Sequence, residues 1–220
     1  MSSAAGVGGG VPYRRRRRGV LSRAAVVDTG RGIAEQEGLD AVTIRRVAAE
    51  LGVSPMALYR HVSDKRELVV AMLDDVARQL PRLPEAGESR ELLALAFVGL
   101  RDHLAASPWA VEALRGGELF GPAVLPYLER VLELLERAGL GEREAVDAYW
   151  ALWWFTFGHL TNLPATLPAA RRERLGLLLR SGAEELPRVR RMADVPLDPG
   201  AAGRAFRAGL DALIDGLLPG

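Results

Sequence analysis

A chain of 220 residues, 49% apolar and 26% charged, has an ordinary globular composition and ample sequence for a buried core. It contains no cysteine, which excludes disulfides, zinc–thiolate sites and cysteine nucleophiles and fits a reducing compartment. The net charge of +1 conceals an asymmetry: residues 1–66 hold 12 Arg and Lys against 6 Asp and Glu, a local +6, while the remainder carries −5. The N-terminal part is therefore the part suited to a polyanion.

Residues 1–13, MSSAAGVGGGVPY, are small and glycine-rich, with nothing to bury. Arg14, Arg15, Arg16, Arg17 and Arg18 follow as one basic run. Arg23 and Asp28 interrupt the apolar stretch a secretion signal would need. The expectation is a disordered basic arm over 1–18 that meets DNA phosphates or a minor groove.

A first helix is capped by Ser22, carries Ala25, Val26, Gly30, Ile33 and Ala34 on its apolar face, and stops at Gly38. Thr43 caps a second helix that runs through Leu51. Pro55, suited to a first helical turn, opens a third running to about Val62. Ser63 is expected to cap a fourth, with Val69, Met72, Leu73, Val76 and Leu80 at helical spacing. PRLPEAGES, residues 81–89, has the prolines and glycine of a linker. Helical periodicity then recurs over roughly 90–106, 109–115, 122–138, 142–163, 168–186 and 201–218, and no stretch alternates as a strand would. The uncharged stretch 148–170 contains His159, Asn162, Pro164 and Pro168, and its apolar part is too short for a membrane span. The expected location is the cytoplasm. The expected fold is all-α: a three-helix DNA-binding module over 19–80, joined by a fourth helix to a larger helical domain over 81–220.

The short third helix is the informative element. A helix-turn-helix needs two short helices at a steep angle, with a small residue at the contact, a glycine in the turn and apolar residues beneath. Ala48 is the contact, Gly52 the turn, and Val47, Leu51, Val53 and Leu58 the floor. The outward side then offers Ser54, Met56, Ala57, Tyr59 and Arg60 to base edges and phosphates. His61 suits packing or a phosphate.

The segments TIRRVAAELGVS, ALYRHV and SDKREL, in this order after AEQEGLDAVT, make residues 22–76 resemble the DNA-binding domain of the tetracycline-repressor (TetR) family of bacterial regulators. The resemblance implies that Thr43 and Arg45 contact the DNA backbone. It further implies that Ser54, Met56, Ala57, Tyr59, Arg60 and His61 belong to the recognition helix, and that Lys65 meets a phosphate. Many relatives place threonine or glutamine where Met56 and Ala57 stand, so base readout here leans on apolar contact and Arg60. ELLALAFVGLRDHLAASPWAVEAL and AFRAGLDALIDGLL look, more loosely, like the C-terminal domains of the tetracycline-repressor subclass. That likeness implies a ligand cavity and a homodimer formed by the last helices.

The residues argue for the dimer independently. The run Tyr149–Leu160 leaves almost no polar face, and a helix apolar all round must be covered on every side. In the last helix Phe206, Leu210, Leu213 and Leu217 form a stripe beside the small residues Ala205, Gly209, Ala212 and Gly216, which would let another helix approach. Candidate ligand contacts are His103, Trp109, Phe120, Tyr127, Trp150, Trp154, Phe157, His159 and Asn162, bulky rings with a few polar atoms to orient a ligand. No histidine has a partner at i+3 or i+4, so no metal is expected. Neither a G-x-S-x-G serine nor a phosphate loop is present, and no cofactor or catalytic residue is expected. The reading is a ligand-responsive repressor of double-stranded DNA and not an enzyme. The alternative, a helical enzyme or small-molecule carrier, would have no use for the basic N-terminal module.

Overall fold

A computed structural model describes residues 21–118, 120–162, 186–194 and 199–219, together with 173, 176–178 and 181. The basic run Arg14–Arg18 and most of the expected helix at 168–186 lie outside the described residues. All regular structure among the described residues is helical: α1 (Arg23–Glu37), α2 (Ile44–Leu51), α3 (Pro55–Leu58), α4 (Lys65–Arg78), α5 (Ser89–Ala105), α6 (Pro108–Arg115), α7 (Leu125–Arg137), α8 (Glu142–Thr161), α9 (Pro187–Asp194) and α10 (Pro199–Leu217), with 3₁₀ turns at Leu39–Ala41 and Pro122–Val124.

Local chemistry sets the first four boundaries. Ser22 Oγ accepts the Ala25 N–H at 3.1 Å, and Thr43 Oγ1 accepts the Arg46 N–H at 3.0 Å, each satisfying one orphan donor of a helix start. Helix α2 ends on Gly52 at φ +68°, where the Gly52 N–H reaches Ala49 O and the Val53 N–H reaches back to Ala48 O. That pair of bonds is a Schellman close, and glycine takes the left-handed residue at least cost.

The start of α4 departs from expectation. Its cap is Asp64, whose Oδ1 accepts the Glu67 N–H at 2.7 Å, while the Ser63 N–H donates to Glu67 Oε2 at 2.6 Å. Asp is as good a cap as Ser and places negative charge at the positive end of the helix. With Asp64 as cap, Glu67 falls where its carboxylate can reach back to the chain entering the helix. Helix α9 has no counterpart among the expected elements: in PRVRRMAD only Val189, Met192 and Ala193 are apolar, at helical spacing but over barely two turns, after a proline suited to a helix start.

Helices α1, α2 and α4 enclose Val26, Ile33, Val47, Leu58, Leu68, Met72 and Leu73. At Gly30 a Cβ would stand 2.9 Å from Met72 Sδ, so the methionine fills the space a side chain would take and would have to shift to admit one. In the second domain α5, α7, α8 and α10 pack against one another around Leu93, Phe97, Leu104, Leu134, Leu135, Leu152, Leu160 and Phe206. One continuous core runs through both parts. Helix α6 and the Pro122–Val124 turn form the joint: α6 touches α1, α4 and the Leu39–Ala41 turn, and Pro122–Val124 lies along α4. Buried Asp74 of α4 accepts the Ala123 N–H at 2.7 Å and pairs with Arg78. His103 Nε2 of α5 lies 2.9 Å from the Val76 carbonyl.

Candidate nucleic-acid interface and effector-binding residues

Helix α3 is shorter than the periodicity suggests. Regular α-helix covers Pro55–Leu58, and the chain then tightens, the His61 N–H donating to Leu58 O at 2.8 Å and the Val62 N–H to the same carbonyl at 3.0 Å. Leu58 and Val62 are buried and anchor the element from beneath. Its far end is pinned from outside by Arg23 of α1, whose Nη1 donates at 2.6 Å both to the His61 carbonyl and to Glu67 Oε1. The Ser63 N–H and Arg23 both favour the ionised Glu67 and pull its pKa down to about 2. One arginine and one carboxylate thus tie the first helix, the end of α3 and the start of α4 together.

This brace leaves the outer surface free. Met56 is 73% exposed and Tyr59 50% exposed, with Ser54 and Arg60 in solvent beside them and Ala57 half-buried. Neither Arg45 nor Arg60 pairs with a carboxylate among the described residues. Arg46, by contrast, is held between Glu37 at 2.8 Å and Glu50 at 2.7 Å, and these bonds raise its pKa further. The Thr43 hydroxyl is committed to its cap, and Lys65 Nζ reaches the Leu39 carbonyl at 3.3 Å.

The nine expected ligand contacts do not converge. His103 bonds the Val76 carbonyl at the joint, the Tyr127 hydroxyl donates to Ala96 O at 2.6 Å, and Asn162 Nδ2 donates to Gly158 O at the end of α8. Burial raises the Tyr127 pKa, so its phenol stays neutral. Phe120 meets the Trp153 ring edge-on at 6.4 Å, and Phe157 stacks on Trp153 at 5.4 Å. Trp150 and Trp154 stack on each other at 5.8 Å but stand outward, Trp154 66% exposed, on a stripe with Val146. The face of α8 turned inward is Ala145, Ala148, Leu152, Thr156 and Leu160. Of the nine, only Trp109 and His159 carry a buried polar atom without a partner. Sequence reasoning passed over Arg101 and Thr156 and gave Phe206 to the apolar stripe of the last helix, whereas its ring lies 4.7 Å from that of His159; the available signal was a charge and a hydroxyl at positions the helical period puts inside. In α10 the small stripe is partly used within the chain, because a Cβ on Gly209 would stand 2.7 Å from Phe155 Cζ. Ala205, Ala212 and Gly216 remain exposed.

No helix among the described residues is long and apolar enough to cross a membrane, and no group of three or more His, Asp or Glu is placed to hold a metal.

A short outward helix entered through a left-handed glycine turn, pinned at its far end and backed by a larger helical bundle, defines a two-domain helix-turn-helix regulator. The family models agree: "Bacterial regulatory proteins, tetR family" matches residues 26–72 and "Tetracyclin repressor-like, C-terminal domain" matches residues 77–219. The chain belongs to the TetR family of bacterial transcriptional regulators. It is 37% identical over 133 residues to the HTH-type transcriptional repressor DrrR1 of Streptomyces coeruleorubidus, a match that spans 56% of this chain and 46% of that repressor. Over 210 residues it is 28% identical to the class D tetracycline repressor protein of Escherichia coli, covering 89% and 88% of the two chains. Apo ActR of Streptomyces coelicolor superposes with a TM-score of 0.77 at 28% identity over 90% of this chain and 95% of that one. ActR has also been solved in complex with actinorhodin, at a TM-score of 0.76 and 26% identity over 90% and 95%.

Proposed function

We infer that this chain is a cytoplasmic, ligand-responsive transcriptional repressor that binds a palindromic operator as a homodimer. Residues 19–80 serve as the DNA-binding unit, 1–18 as a basic arm and 81–220 as the effector and dimer unit. The observation that carries the reading is the braced α3 surface, where unpaired Arg60 stands beside exposed Met56, Tyr59 and Ser54. Arg60 suits a bidentate contact to guanine, Met56 and Ala57 suit a thymine methyl, and Thr43, Arg45, His61 and Lys65 lie where phosphates would pass. The outward stripe of Val146, Trp150 and Trp154 on α8, with exposed Ala205, Ala212 and Gly216 on α10, supports a dimer seam. That DrrR1 is a repressor and that ActR binds actinorhodin support repression and an effector here.

In vitro selection from a random duplex pool tests the reading. The expected product is an inverted repeat with half-sites about 34 Å apart, or a multiple of that, because two fixed recognition helices read one turn apart. A pool without enrichment, or a single unrepeated site bound by monomer, would overturn it. An effector releases DNA only by binding better to the dimer with the other spacing, so operator must weaken effector binding by the same factor.

A further inference from the structure

The two ends of the recognition element are held in different ways. Its near end is fixed by bonds that span five residues or fewer. Gly52 closes α2, the Val53 N–H reaches Ala48 O, the Ala57 N–H donates to Ser54 O at 2.9 Å, and Pro55 presets the first turn. The far end has no such support. Regular helix stops at Leu58, whose carbonyl accepts from both His61 and Val62, and carbonyls past a helix end have no partner within it. Tyr59 and Arg60 stand on this tightened stretch, both exposed.

What holds the far end is a grip on the backbone either side of buried Val62. Before Val62, the His61 carbonyl accepts from Arg23 Nη1 at 2.6 Å; after it, the Ser63 N–H donates to Glu67 Oε2 at 2.6 Å. Arg23 Nη1 and Glu67 Oε1, 2.6 Å apart, close the ring of contacts. The cation thus comes from the first residue of α1, 38 positions before the carbonyl it holds, and the anion from the first turn of α4. Both bonds to the backbone are charge-assisted, the stronger kind.

We propose that Arg23 is a positioning residue for base recognition: without touching DNA, it sets the angle at which Tyr59 and Arg60 meet the base edges. The inference rests on the operator-binding reading above and adds the residue that governs selectivity at one part of each half-site. Reading a base edge needs the side chain held to within about 0.5 Å and 10–20°. Phosphate contacts from flexible cations tolerate more, so Lys65, Arg45 and the basic arm keep their grip when the far end of the recognition element loosens. Loss of Arg23 should therefore cost selectivity and spare general affinity, and only at the bases that Tyr59 and Arg60 face. Because Arg23 is half-exposed, the competing role is a direct phosphate contact, which predicts the opposite: equal loss on every sequence and a shallower salt dependence.

The test compares full-length parent, Arg23→Met and Arg60→Ala by selection from a random duplex pool. Fluorescence anisotropy on the parent's selected duplex and a scrambled duplex, over a salt series, then gives the affinities. Arg23→Met keeps the apolar stem of the side chain and removes every donor. It should reduce discrimination between the two duplexes at least fivefold, with affinity for the scrambled duplex within twofold of the parent and the salt slope unchanged. Base preference should relax at the positions that Arg60→Ala also relaxes and persist within twofold elsewhere. Glu67→Gln, which leaves Arg23 in place but weakens its hold, should relax the same positions at least twofold, and it decides the matter should Arg23→Met not fold. Unchanged discrimination, relaxation spread evenly over the half-site, or equal loss on both duplexes with a slope shallower by about 0.9 would each overturn the role. A parent that enriches no operator would instead strike the regulator reading, so the two failures are separable.

Discussion

Gly121→Ala probes the joint through which the two domains meet. Gly121 is buried at φ −74°, so it is not needed for backbone freedom; it is needed for space. A Cβ there would collide with the Asp74 carboxylate oxygen and stand 2.7 Å from both Asp74 Cβ and Cγ. Because one clash is with the Cβ of Asp74, no rotamer change relieves it, and either α4 or the 121–124 segment must move. Overpacking of this kind costs about 1–3 kcal/mol, and loss of the charge-assisted Ala123–Asp74 bond about 1–3 kcal/mol more. A total near 3 kcal/mol corresponds to a fall in Tm of roughly 6–12 °C for a chain of this size. The matched control is Gly32→Ala inside α1, where nothing lies within 4 Å of the added Cβ. That change should raise stability by about 0.5–1 kcal/mol through helix propensity alone. Differential scanning calorimetry of both variants is the assay. A Gly121→Ala protein melting within about 2 °C of the parent would refute the reasoning, since the joint would then yield at no cost.

Arg60→Ala should lose roughly 1–3 kcal/mol of operator affinity and relax preference at one position per half-site; equal loss on specific and random DNA would remove its base-reading role. Deleting residues 1–18 should flatten the plot of log K against log salt by about 0.9 for each phosphate no longer neutralised, whereas an unchanged slope would make the arginine run a bystander. The Glu67 carboxyl is depressed from 4.5 to about 2, so its contribution to stability is complete above pH 4.5 and is lost as pH falls from there towards 2. Glu67→Gln should therefore flatten acid unfolding in that window, as followed by circular dichroism, and an unchanged acid limb would show that the Arg23–Glu67 brace carries no stability. The effect should be modest because that side chain is 38% exposed.

Much of the DNA-binding half was legible because its signals are local. Ser22 and Thr43 bind backbone N–H groups three residues on, and Gly52 closes its helix within five residues, so the sequence alone places these turns. Ser63 misled because two adjacent residues could both cap, and the choice fell to Asp64, which allows Glu67 to reach the Ser63 N–H and Arg23 together. The packing of the C-terminal domain was less legible. Periodicity shows that α8 is apolar on all sides but not which side meets which neighbour.

By itself the sequence determined an all-helical chain with a basic helix-turn-helix module and a larger apolar helical domain, since caps, breakers and helical period act over a few residues. The tertiary structure alone turned Trp150 and Trp154 outward, filled Gly209 with Phe155, set Gly121 against Asp74, and brought Arg101 and His159 to Phe206 from three different helices. Those contacts join residues as far apart as 105 positions, from Arg101 to Phe206. Packing at that separation depends on the shapes of both surfaces, which no local pattern encodes.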